Sequence, residues 1–246
     1  MRSDTIISIF LQVMILLFLL AKDKNDGEKD FFKSQQWKSS DVVITIVIYN
    51  IFVIILDFMV LYFKPIYKLN FAYLVSLFMF LIILGFIKVR YQQDNIDFGF
   101  KKNIHAKLFI MPFVFGSILF VVLSMTLLLA TDSREYLIIK KCFYYIQCGF
   151  LLLFISPVLE EWLYRGIIYS VYRKKYGSMW AITISSLLFA VGHIHGIVLP
   201  FIAGIVCGII YEKKESLTMA IGAHCLINAG GFIYMILFNQ IKVPFT

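Results

Sequence analysis

Long apolar runs set the limits on what this chain can fold into. Eight of them emerge along the 246 residues: Ile6–Ala21, Val42–Phe63, Phe71–Ile87, Leu108–Ala130, a long one from about Leu137 to Tyr172, Met179–Gly192, Ile197–Tyr211 and Leu217–Phe238. A helix crosses a bilayer with roughly 17–25 predominantly apolar residues. The composition agrees: 61% of residues are hydrophobic and 15% charged, whereas a soluble domain is about a quarter charged. The expected fold is all-α, a polytopic transmembrane helical bundle of about eight spans. Residues 1–136 form an N-terminal transmembrane region of about four spans, with a polar loop at 22–41. Residues 137–246 form the second half, where the polar groups collect.

A formal charge of +8 would suggest nucleic acid in a soluble protein. Here the lysines sit in short loops between apolar runs, where they set topology and touch anionic headgroups. No basic helix or aromatic platform accompanies them, so no nucleic acid is expected as a partner; the lipid bilayer is. The stretches Lys22–Lys38, Lys88–Lys107, Arg173–Lys175 and Lys213–Lys214 hold five, five, three and two basic residues. Cytoplasmic loops carry that excess, so the odd-numbered loops face the cytosol of a multi-pass plasma-membrane protein. The first run has no good cleavage site after it and reads as a retained, short span. Cys142, Cys148, Cys207 and Cys225 lack CxxC spacing and read as small buried apolar residues.

Against that background, the second half contains Glu160, Glu161, Arg165, His193, His195, His224 and Asn228 within or at the ends of apolar segments. Ionisable groups inside spans are expensive and mark function. Each of them singly could be a helix-packing hydrogen bond. Their depths argue for more. Glu160 lies 13 residues before Arg173, His193 lies 14 after Met179, and Asn228 lies 12 after Ser216. At ~1.5 Å per residue these positions are all roughly 20 Å from one membrane face, the one reached from the cytosol.

Spacing within each helix separates the roles. Glu161 and Arg165 are four apart and can neutralise each other. Glu160 points about 100° away and is left outside that pair, as suits a general base. His224 and Asn228, also four apart, can aim donors at a developing oxyanion. His193 could hold a water with Glu160. No G-x-S-x-G elbow appears, and Cys225 projects away from His224, so activated water fits better than a side-chain nucleophile. Carboxylates with histidines also suit zinc, with Glu160, His193 and His224 as its ligands. H-E-x-x-H is absent, and metal-bound and metal-free water activation both remain open. Elsewhere, His105 reads as solvated, and Lys140 and Lys141 as snorkelling side chains. Gly192, Gly196, Gly204 and Gly208 read as close-packing positions, the last two as a small-xxx-small pair.

The motifs E-E-x-x-x-R (Glu160, Glu161, Arg165), F-x-x-x-H (Phe189 to His193) and H-x-x-x-N (His224 to Asn228) occur in that order. This pattern resembles the CPBP family of intramembrane proteases, which includes the type II CAAX prenyl endopeptidases and the bacterial Abi proteins. The resemblance covers about Leu151 to Met235. It implies an intramembrane endopeptidase with its cavity among the C-terminal helices. Glu160 would activate water beside His193, His224 and Asn228 would hold the oxyanion, and Glu161 with Arg165 would support the site. The family is described both as metal-dependent and as glutamate-type. The substrate implied is a membrane-associated or lipidated peptide or protein, in a setting of bacteriocin or pheromone maturation or of self-immunity. Two rivals stand beside it. An inactive membrane scaffold or immunity protein would show a broken motif, and a transporter with a buried charge relay would show two related halves with broken helices.

Overall fold

The computed structural model describes residues 37–62, 78–79, 81–82, 85–86, 142, 144–193 and 196–238. The runs Ile6–Ala21 and Leu108–Ala130, most of Phe71–Ile87, and His105, Lys140, Lys141 and His195 lie outside the described residues. Every described element is helical. Helix α1 spans Ser39–Tyr62, α2 Tyr144–Val191, α3 Val198–Lys214 and α4 Leu217–Leu237. Among the described residues α2 and α4 are long and apolar enough to cross a membrane. The side chains facing away from the bundle agree with a lipid environment: Leu199, Leu226 and Leu237 are each more than 70% exposed. Water would penalise such a surface, whereas hydrocarbon does not.

At 48 residues, α2 is far longer than one crossing needs. It bends at Gly177, whose φ of 80° and ψ of 174° lie in a region that side-chain-bearing residues avoid. The bend separates a first arm carrying Glu160 from a second carrying His193. The backbone at Gly177 is not helical, so the two runs expected on either side of Arg173–Lys175 are two helical arms joined at that residue. Arg173 is not a solvated loop cation. It is buried against Glu212 of α3, with Nε 3.1 Å from Oε2. Tyr169 donates its hydroxyl to the same carboxylate and packs edge-on against Tyr211. This cluster ties the end of the first arm to the end of α3. Just beyond it, Glu215 takes a left-handed conformation, ends α3 and turns the chain into α4.

Two glycines let α3 approach the second arm. A Cβ at Gly204 would stand 2.9 Å from the Ser186 Cβ, and one at Gly208 would stand 3.2 Å from the Ile182 Cγ2. Both partners are spaced by four, as are the glycines, so one face of each helix lies flat on the other. At Gly196 none of the described residues lies within 4 Å of a Cβ position. Cys207 is buried as expected, while Cys142 is exposed.

The first arm is not a regular α-helix. Leu151–Ile155 and Trp162–Tyr169 are wound as π-helix, on either side of a six-residue α segment, Ser156–Glu161, that holds both glutamates. In the first of these the Ser156 N–H reaches back five residues to the Leu151 carbonyl. Pro157 follows and has no N–H to give. In the same register its missing bond would have gone to the Leu152 carbonyl. π-turns of this kind gather at functional sites.

Candidate active site

Glu161 is the centre of a buried knot. Its Oε1 accepts from Arg165 Nη1 at 3.0 Å and lies 2.9 Å from His224 Nδ1. Both acid and guanidinium are fully buried. Arg165 has two further supports: Nη2 donates to the Gly204 carbonyl at 2.6 Å, and Cζ sits 5.3 Å from the centre of the Phe189 ring. The close approach that Gly204 permits thus also presents its carbonyl to the arginine. The knot joins α2, α3 and α4. A carboxylate can only accept, so His224 Nδ1 carries the proton in this contact and Nε2 faces the other way.

Nε2 faces Glu160, 3.6 Å from Oε2. Glu160 also accepts a 2.6 Å hydrogen bond from Ser156 Oγ on its other oxygen. The sequence left Glu160 without a partner. In the structure it has one, supplied four residues earlier by the same helical spacing that pairs Glu161 with Arg165. Unlike Glu161, its side chain is 17% exposed.

Phe189 links the two histidines. Its ring centre is 4.6 Å from that of His193 and 5.5 Å from that of His224. His193 Nδ1 lies 3.0 Å from the Phe189 carbonyl. A carbonyl can only accept, which puts the proton on Nδ1 and leaves the Nε2 lone pair open to a water or a metal. Asn228 Nδ2 donates to the Leu152 carbonyl at 2.8 Å. This is the carbonyl that Pro157 leaves without its helical donor, so Asn228 repairs the break and fixes α4 against the first arm. One of its two amide protons is used there.

Two donor groupings bear on a metal. Glu160 Oε2 and His224 Nε2 are spaced as neighbouring ligands of one ion would be, with bonds of about 2 Å each. Glu161, Cys207 and His224 also bring their ligand atoms within 4.8 Å of one another. Cys207 was not expected in the site, and its only signal in the sequence was burial on a small-residue face. That second grouping fits a cation poorly, because Arg165 is locked onto its carboxylate and already supplies the positive charge.

These features define a helical protein with two candidate membrane spans among the described residues and a buried Glu/Arg/His site where the α2, α3 and α4 helices meet. Residues 143–230 match the family model described as Type II CAAX prenyl endopeptidase Rce1-like. All three motifs fall inside it, so the resemblance read from them holds, and the family is membrane-integral. No curated protein and no solved structure is significantly similar to the chain. Helix α1 lies outside the matched stretch.

Proposed function

We propose that the chain is an intramembrane endopeptidase of the plasma membrane that hydrolyses a peptide bond in a membrane-associated or lipidated peptide or protein. Residues 137–246 form its catalytic core, entered from the cytosolic side. One observation carries this reading. Of two adjacent glutamates, one is wholly buried and neutralised by Arg165, while the other is partly open and faced by His224 Nε2 at 3.6 Å. A pure packing role would give no reason to treat neighbouring carboxylates so differently.

Glu160, oriented by Ser156, takes a proton from a water that His193 Nε2 also holds. The hydroxide adds to the scissile carbonyl. The oxyanion is stabilised by His224 and by the remaining amide proton of Asn228. Two carboxylates against one guanidinium leave a net negative charge, which an imidazolium at His224 would cancel while placing a donor on Nε2. The proton held by Glu160 then passes to the leaving amine. Glu161 and Arg165 hold His224 in place. A zinc ion, where bound, would be held by Glu160, His193 and His224 and would supply Lewis acidity to the water.

The test uses purified full-length protein in lipid vesicles and a fluorescence-quenched peptide with a prenylated CAAX end. Wild type is expected to cleave it, and Glu160→Gln to lose about 10²–10⁴-fold in rate. A chelator arm, restored by a single metal or without effect, decides between the two forms of water activation. Equal cleavage by wild type and Glu160→Gln would remove the reading.

A further inference from the structure

Helix α1 sends one side chain towards this site that no motif predicts. The Tyr49 hydroxyl lies 3.5 Å from the position a Cβ would take on Gly192, the residue before His193. The Tyr164 hydroxyl, from the π-turn between Glu161 and Arg165's far side, lies 3.5 Å from the same point. The two hydroxyls are hydrogen-bonded to each other, and Glu160 is near enough to act on both electrostatically. The Tyr164 ring packs edge-on against Phe189 at 5.3 Å, the ring that also touches His193 and His224. A methyl at Gly192 would be tight only against the Phe189 carbonyl, at 3.2 Å, and would touch both hydroxyls at ordinary contact distance.

Two phenols have two protons, and one bond between them uses one. The other is a donor inside an apolar bundle, where a donor needs an acceptor. Phenols are neutral and cannot replace Glu160 as base, but they can donate to a developing negative charge. Asn228 has meanwhile spent one of its donors on the Leu152 carbonyl. Resting on the peptidase reading above, we propose that Tyr49, paired with Tyr164, is a further oxyanion donor of this site. Its hydroxyl proton would hydrogen-bond the scissile carbonyl oxygen as that oxygen gains charge. The N-terminal region would then complete the site rather than only surround it.

The experiment measures kcat and KM for wild type, Tyr49→Phe, Tyr164→Phe and Glu160→Gln in the vesicle assay with the prenylated quenched peptide. Thermal unfolding is followed for each. Tyr49→Phe keeps the ring and its packing, so the expected result is a kcat lower by about 10²-fold, as for other lost oxyanion donors. KM should stay within about twofold of wild type and the melting temperature should be unchanged. Tyr164→Phe removes the partner and should lower kcat less than Tyr49→Phe does. A Tyr49→Phe enzyme with wild-type kcat, or one whose KM alone rises, overturns the proposal. If Glu160→Gln is inert while Tyr49→Phe is fully active, the peptidase reading stands and only the tyrosine assignment falls. If Glu160→Gln cleaves like wild type, both fall together.

Discussion

Glu160 and Glu161 are neighbours in sequence and opposites in surroundings. Glu161 is sealed among α2, α3 and α4, with Arg165, His224 and the Gly204 carbonyl closing a network around it. Glu160 stands on the open side with Ser156 behind it and His224 Nε2 in front, and the Phe189 ring lies between His224 and His193. In a bilayer a buried charge is tolerated when it is paired. The closed side therefore reads as the device that makes the open side affordable, with His224 belonging to both.

The contrast can be broken from either side. The largest expected effect is on the closed side. Arg165→Ala would strand Glu161 without its counter-charge, at a cost of about 3–5 kcal/mol. Thermal unfolding in detergent or vesicles should show a protein that is largely unfolded or melts far earlier. Gly204→Ala comes next. Its methyl would stand 2.9 Å from the Ser186 Cβ and push α3 away, costing about 1–3 kcal/mol and loosening the carbonyl that Arg165 uses. The open side should respond in rate rather than stability. Ser156→Ala removes the 2.6 Å bond that orients Glu160, and turnover should drop about tenfold with little change in melting temperature. The smallest effect is expected at Gly208→Ala, because its methyl would stand 3.2 Å from the Ile182 Cγ2, which need give by only a few tenths of an ångström; the same unfolding assay should find about 1 kcal/mol.

Much of the closed side was legible in the sequence. The four-residue spacing of Glu161 and Arg165 predicts their pairing, and periodic apolar runs locate α3 and α4 to within a few residues at each end. The small-xxx-small pair likewise predicts that α3 packs closely against a neighbour. Ser156 could have been found by the same rule, since it stands four before Glu160. What escaped were contacts between distant segments. Cys207 beside Glu161, Tyr49 beside Tyr164, and Asn228 on the Leu152 carbonyl join residues from different helices, which periodicity within one helix cannot register. The π-turns were also hidden. They flank the glutamate-bearing segment, which is itself α-helical, so the 100° step between Glu160 and Glu161 holds there. Pro157 was visible, but its consequence needed the register of the helix around it.

The central claim is that the two glutamates divide the work, one for chemistry and one for structure. Glu160→Gln and Glu161→Gln, each carried through thermal unfolding and peptide cleavage in the same vesicles, test it directly. The predicted result is a crossed pair: Glu160→Gln melts like wild type and does not turn over, whereas Glu161→Gln melts well below it because Arg165 is left with no carboxylate. A stable Glu161→Gln together with an active Glu160→Gln would contradict the account.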